Sequence, residues 1–320
     1  MVKPRLFVAF MRLFALGLMG ALAPASGLAQ ERPGVVVASK ADTEGALLGN
    51  MIALILEREG VPVDLRLQLG PTQRVRAALL SGEIDLYPEY TGNGAFFHDM
   101  EGDPAWKSPD AAFDRIKKLD AERHKLVWLA RAPANNSWLI AVRGDLARRL
   151  DLSTMDDFAQ AVGRSTDLKL AASAEFVESP AALPSFERTY GFQFPRDRIV
   201  VQLGGDTMKT MRAAARNTDG VNAAMVYGTD GAIVPLDLVV MKDNKGAQIV
   251  YEPAPVIRAA ILQRYPKIAQ ALAPAFSSLT TTKLQALNAE IAIEDKQARD
   301  VARRYLDDLA GSRTGPRTSP

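Results

Sequence analysis

The sequence predicts an α/β protein made of two similar halves that face each other across a cleft. Three observations carry this reading. Short apolar runs alternate with helix-like runs from residue 35 onward, which is the pattern of a largely parallel sheet covered by helices. The alternation restarts near Trp138. The two series also share an internal parallel. Gln68-Leu69-Gly70 precedes a helix containing Arg76-Ala77-Ala78, then Gly82, an apolar strand, Tyr87 and Thr91-Gly92. Gln202-Leu203-Gly204 precedes a helix containing Arg212-Ala213-Ala214, then Gly220, an apolar strand, Tyr227 and Thr229-Asp230-Gly231. Each half thus sets a tyrosine at the carboxyl end of a strand, where open α/β sheets bind ligands.

The elements follow in order. Residues 35–39 form a Val-rich strand, and Asp42 or Thr43 caps a helix running to Gly60, with Leu47, Met51, Leu54 and Ile55 at helical spacing. Residues 63–69 alternate apolar and polar; 72–80 read as a helix ended near Gly82, and 84–87 as a buried strand. The second series has strands at 138–142, 168–172, 199–203 and 223–226, with helices at 183–190 and 208–216. Two more strands are expected at 238–241 and 249–252, then helices over 256–265, 267–276, 281–293 and 296–309. The polar tail, 313–320, is expected to be disordered.

Residues 1–29 read as an address. Lys3, Arg5 and Arg12 give a positive start without acids, an apolar run follows from Leu13 to about Ala25, and small residues stand at Gly27 and Ala29. This is the order of a secretory signal, with cleavage expected after Ala29. A membrane anchor is the alternative, but the run falls short of the ~20 apolar residues that span a bilayer. The chain has no cysteine, so it forms no disulfide and carries no lipid-bearing cysteine after the cut. Removing the signal leaves 36 basic against 37 acidic residues, so the basic excess of the whole chain gives no reason to expect a nucleic-acid partner.

Catalytic signatures are missing. The only histidines are His98 and His124, and no set of residues has metal-ligand spacing. No G-x-S-x-G elbow or Walker A loop occurs, and Gly92-x-Gly94 lacks the third glycine of a dinucleotide fingerprint. His98 reads as a surface or loop histidine rather than a general base. A binding protein with no metal and no cofactor is expected, not an enzyme.

The densest patch is Asp85-Leu86-Tyr87-Pro88-Glu89-Tyr90-Thr91-Gly92-Asn93-Gly94. With Ser39-Lys40, Thr43-Glu44, Leu48-Gly49-Asn50-Met51, Asn136-Ser137-Trp138, Tyr227-Gly228-Thr229-Asp230-Gly231 and Pro253-Ala254-Pro255, it resembles the periplasmic binding proteins of quaternary-amine (glycine betaine, choline, carnitine) ABC importers. The likeness runs from about Val35 to Leu309, and Asn93-Gly94-Ala95-Phe96-Phe97 is closer to the OsmF-like branch. The resemblance implies a type II periplasmic binding protein fold. Lobe one would hold 31–132 and 232–312, and lobe two 133–231, with crossings near 132–135 and Gly231.

It also implies an osmolyte-binding function and an inner-membrane ABC permease with its ATPase as partners, served by a monomer. A trimethylammonium group carries charge but no N–H, so aromatic faces suit it at ~0.5–2 kcal/mol per ring. Carried over residue by residue, the family's aromatic cage falls on Tyr90, Trp138, Tyr227 and Tyr251. Lys40, Thr91, Asn93, Asn136 and Asp230 are further ligand candidates. Asn93 replaces a hydroxyl residue and Asn136 an acid found in other members. Tyr87 reads as the last inward residue of its strand. Strand-end tyrosines also commonly pack on helices. Two alternatives stay open: the same fold serving another solute such as an amino acid, held by Arg131, Arg143 and Arg258, or a periplasmic enzyme on a two-lobed scaffold.

Overall fold

The computed structural model describes residues 34–164, 167–202 and 206–313. The export signal, the tail beyond Arg313 and Leu203-Gly204 of the internal parallel lie outside the described residues. No described helix is long and apolar enough to cross a membrane.

The first half runs β1 (Val35–Lys40), α1 (Thr43–Arg58), β2 (Val63–Gly70), α2 (Thr72–Ser81), β3 (Leu86–Tyr90), α3 (Asn93–Phe97), α4 (Pro109–His124) and β4 (Leu126–Trp128). The second half follows with β5 (Trp138–Arg143), α5 (Gly144–Leu150), α6 (Met155–Gly163), β6 (Leu170–Ser173), α7 (Ala174–Glu178), α8 (Leu183–Tyr190), β7 (Ile199–Gln202), α9 (Thr207–Ala215), β8 (Ala223–Tyr227) and β9 (Leu238–Val240). The chain then returns through β10 (Pro253–Arg258) and ends in α10 (Ala259–Arg264), α11 (Ile268–Ser278), α12 (Thr281–Ala292) and α13 (Ala298–Arg313).

The strands form two five-stranded sheets, ordered β2-β1-β3-β10-β4 and β7-β6-β8-β5-β9. The sheets share one plan. In each, three strands pair in parallel, and a crossing strand, β10 or β5, inserts antiparallel beside the third. This is the two-lobed α/β architecture of type II periplasmic binding proteins, and it contains no closed barrel.

Both faces of the inner strands are covered, which explains why β1 and β8 read as continuous apolar runs, whereas the edge strand β2 alternates. In β1, Val35 and Val37 face α1, α11, α12 and α13, while Val36 and Ala38 face α2 and α4. Helix α1 is apolar nearly all round because it lies between the sheet and the C-terminal helices: Leu47, Leu48, Met51, Ile52 and Leu56 are fully buried. Its start is fixed by Asp42, whose side chain accepts from Gly45 N at 2.7 Å. The second sheet packs Ile140, Leu170 and Met225 against α5–α8, and Ala141, Ala171 and Val226 against α9.

Four expectations are corrected. The strand expected at 84–87 starts at Leu86 and runs to Tyr90, so the specific motif is itself the strand. The strand expected at 249–252 is instead Pro253–Arg258, and the helix after it begins only at Ala259. Prolines discourage a central strand. Here Pro253 and Pro255 stand two apart, so both missing donors fall on one edge, where their carbonyls accept from Ala132 N and Leu129 N at 2.8 and 2.9 Å. β9 pairs with β5, which puts residues 238–240 in the second sheet, so the return crossing falls later than Gly231. Finally, α13 includes Arg313, the first residue of the expected disordered tail.

Candidate functional site

Two segments connect the sheets, residues 132–137 and 248–252, and they run side by side. Asn136 N donates to Tyr251 O at 2.9 Å, and Ser137 Oγ donates to Ile249 O at 2.5 Å. Asn135 ties them: its Oδ1 accepts from Ser137 N at 3.2 Å and Tyr251 N at 2.9 Å, while its own N donates to Thr281 Oγ1 at 3.1 Å. A short amide thus ties the two crossing segments to each other, as expected where two lobes turn about a few residues.

At the first-lobe wall, Tyr90 is the last residue of β3, opposite Pro253, and is 6% exposed. Behind it stands Glu89, fully buried. Glu89 accepts from Lys40 Nζ at 2.5 Å, and from Tyr87 Oη, Tyr90 N and Asn93 Nδ2 at 2.7 Å each. Lys40 Nζ lies 4.5 Å from the Tyr90 ring centroid. Lys40 and Asn93 are therefore both engaged with Glu89. Tyr87, expected at the strand end, is the second residue of β3 and is buried against α2 and α4. Thr91 serves the backbone: its Oγ1 donates to Val250 O at 3.0 Å and accepts from Glu252 N at 3.1 Å.

The Tyr90 hydroxyl donates to Glu44 Oε1 at 2.7 Å. Asn288 of α12 donates through Nδ2 to Glu44 Oε2 at 2.7 Å and to Thr229 O at 2.9 Å. Burial pushes the Glu44 carboxyl up to about 7, against the pull of hydrogen bonds from Thr229, Tyr90 and Asn288. Burial also raises the Tyr90 phenol well above its usual range, with the Glu44 charge adding to the effect.

The second-lobe wall is aromatic. Trp138 opens β5 directly opposite Tyr227, which closes β8. Their rings stack with centroids 6.3 Å apart and 25° between planes, and Phe176 meets the Trp138 ring edge-on at 6.2 Å. The Asn136 Oδ1 and Trp138 Nε1 atoms are buried without a hydrogen-bond partner. The Tyr227 hydroxyl lies near that indole N–H, close enough to offset in part the rise that burial imposes on its pKa, but outside hydrogen-bonding geometry. Asp230 closes the turn by accepting from Tyr227 N at 2.8 Å, and burial lifts its carboxyl to about 6.

Glycines bring the walls together. A side chain at Gly92 would meet Tyr251 Cε1 at 2.8 Å, so Tyr251 rests directly on the turn after Tyr90. A side chain at Gly231 would meet the α12 backbone at 2.3 Å, so the second-lobe turn lies directly on that helix. Tyr90, Tyr251, Trp138 and Tyr227 are thereby gathered around the crossing segments.

The arginines are differently placed. Arg258 and Arg143 end β10 and β5, whereas Pro253 and Trp138 begin them, roughly 16 Å away at strand rise. Arg258 pairs with Asp85, Arg143 with Asp145, and Arg131 with Asp110 and Glu252. His98 is buried, not on the surface. It contacts Asp120, which also accepts from Arg76 Nη1 and Nη2 at 2.9 and 2.5 Å and from Trp128 Nε1 at 2.7 Å. His98, Asp120 and His124 lie close enough to hold an ion, but Asp120's oxygens are already taken by these donors.

The sequence reading did not assign roles to Glu44, Glu89, Asn135 or Asn288. Glu44 was in view as part of a motif, but an acid in the first turn of a helix ordinarily serves the helix dipole. Nothing local signals that residues 44, 90, 229 and 288 meet.

Comparison with known proteins agrees with this architecture. The family described as the substrate-binding domain of an ABC-type glycine betaine transport system matches residues 33–308. The chain is 52% identical over 272 residues to the glycine betaine-binding protein YehZ of Escherichia coli, covering 85% of this chain and 89% of the relative. It is 31% identical over 291 residues to a glycine-betaine-binding protein of Pseudomonas aeruginosa, covering 88% and 89%. The solved structure of apo YehZ from Escherichia coli superposes with a TM-score of 0.78 at 51% identity, covering 87% of this chain and 99% of that one. Such a family is extracytoplasmic, works with an inner-membrane permease and ATPase, and is not catalytic. The chain belongs to the substrate-binding proteins of quaternary-amine ABC importers, the family of the glycine betaine transport systems.

Proposed function

We propose that the chain captures a quaternary-ammonium osmolyte, of the glycine betaine or choline type, between Tyr90, Trp138, Tyr227 and Tyr251 and delivers it to its permease. The observation that carries this reading is the stacked Trp138–Tyr227 pair, held by the crossing segments beside Tyr251 and Tyr90. Ring faces attract a cation that has no proton to donate, and they keep its methyl groups dry. The three arginines considered for an amino-acid clamp each pair with an acid of the chain, which favours the cage over the clamp. The Trp138 N–H, without a partner, is suited to a ligand's carboxylate or hydroxyl oxygen, and the Asn136 carbonyl, also without one, to a ligand hydroxyl proton. Closure is a rotation about residues 132–137 and 248–252. The mature protein begins near Gln30, free of lipid, and acts as a monomer.

Calorimetry with glycine betaine, choline, carnitine and an unmethylated amino acid tests the reading. At least one quaternary amine binds and the amino acid does not. Binding of the amino acid alone would transfer the site to another solute class.

A further inference from the structure

We propose that Glu44 is the counter-charge that this site holds for the ligand's cation, and that ligand binding drives off its proton. The proposal rests on the cage reading and deepens it. Glu44 lies at the start of α1 and is 5% exposed. Its donors, the Tyr90 hydroxyl, the Asn288 amide and Thr229, are all neutral. No basic group of the described residues forms an ion pair with it; Lys40, on the neighbouring strand, is taken by Glu89 at 2.5 Å. A buried carboxylate without a cation is costly, so the free protein keeps the proton, in keeping with a carboxyl raised to about 7. The ligand brings a permanent positive charge next to Tyr90, whose hydroxyl already binds Glu44. An opposite charge at that range favours the ionised acid.

The other charged groups around Glu44 are accounted for. Asp42, ahead of it on the same helix, is exposed and caps α1. Glu89 on β3 is paired with Lys40 of β1. Asp230, on the turn that carries Tyr227, is bound to Tyr227 N. Glu175 of α7 is exposed and acts on Tyr227 and Tyr251. On α12, Asn288 is neutral and Glu290 pairs with Lys296 and Arg304.

The sign follows from linkage. Below pH 7 the ligand must expel a proton from Glu44; above it the carboxylate is already charged. Affinity therefore rises with pH, by about tenfold between pH 6 and pH 8, and about half a proton is released per ligand at pH 7. Tetramethylammonium and choline serve as probes, since neither titrates in this range.

The test is calorimetry of both probes at pH 6, 7 and 8, repeated at pH 7 in two buffers of different ionisation enthalpy. The expected result is proton release in the wild type, and a flat pH profile without release in Glu44→Gln. A carbon NMR titration of the Glu44 carboxyl, with and without probe, gives the same answer in wild type should the variant fail to fold: the probe lowers its titration midpoint. Binding without proton release overturns the proposal and leaves the cage standing. Release that persists in Glu44→Gln assigns the proton to another acid, such as Asp230, and also overturns it. Failure of every quaternary amine to bind at any of these pH values removes the cage reading and this proposal together.

Discussion

The two walls of the cleft carry out one topology with opposite chemistry. Both end a parallel strand in a tyrosine beside the first residue of an antiparallel crossing strand, Tyr90 beside Pro253 and Tyr227 beside Trp138. Behind Tyr90 lies a buried polar network: Glu89 with four donors, and Glu44 with Asn288. Behind Tyr227 lie rings, Trp138 stacked on it and Phe176 set edge-on to the indole. Hydrogen bonds from several donors hold a ring and its carboxylates in one arrangement, although Asn288 Oδ1 is itself buried without a partner. Aromatic packing supplies apolar surface and quadrupole but leaves polar atoms of its own unmatched, here Asn136 Oδ1 and Trp138 Nε1. On the proposed reading, the first lobe contributes rigidity and charge, and the second the face on which the cation rests.

The comparison breaks most readily at Glu89. Replacing it with Ala leaves Lys40 buried without its partner and should cost about 3–5 kcal/mol of stability, read as a fall in the urea midpoint. Asp230→Asn, the acid on the other wall, keeps its shape and should cost far less. A result in the reverse order would mean that the polar network does not hold the first lobe.

The next effect concerns pH. Glu44 and Asp230 have folded-state pKa values raised by burial, to about 7 and about 6. Raised acids contribute stability below their unfolded pKa values and lose it as pH rises through the folded ones. Ligand-free protein should therefore lose on the order of 2–3 kcal/mol between pH 4.5 and pH 8 from Glu44, with Asp230 acting in the same direction over a lower window. Thermal denaturation across that range measures it. A Tm that rises through the window would show that groups favouring the deprotonated fold, such as His98, whose pKa is lowered by burial, outweigh these two.

A smaller effect sharpens the role of Tyr90. Tyr90→Phe keeps the ring face and removes the donor to Glu44. It should cost about 1 kcal/mol of stability while leaving quaternary-amine affinity within a few-fold, whereas Tyr90→Ala removes both ring and donor. Equal losses of affinity in the two variants would make the hydroxyl, not the ring, the group that matters.

Much of this was readable from residues alone. The repeat of strand, helix, strand and terminal tyrosine revealed two lobes, and the motifs around Tyr90, Trp138, Tyr227 and Tyr251 pointed to residues that the fold gathers at the crossing segments. The repeat was out of register by three residues, however. It matched Tyr87 with Tyr227, whereas the ladder position opposite the first residue of the crossing strand belongs to Tyr90. Alternation could not separate them, because β3 is buried on both faces. The prolines of β10 hid a central strand, since sequence does not say which edge lacks donors. The acids were harder still: Glu44 meets Tyr90, Thr229 and Asn288 only through the tertiary fold, and burial, which sets its charge, is not a local property.

The most direct measurement compares ring removal with charge removal at the cleft. Glycine betaine and tetramethylammonium are titrated into wild type, Tyr90→Ala, Trp138→Ala and Asp230→Asn at low and high salt. Losing Trp138 should weaken both ligands by ~1–2 kcal/mol, losing Tyr90 should weaken them at least as much, and salt should change affinity little because the site is buried. Wild-type affinity in both ring variants, with binding abolished in Asp230→Asn, would contradict the aromatic cage.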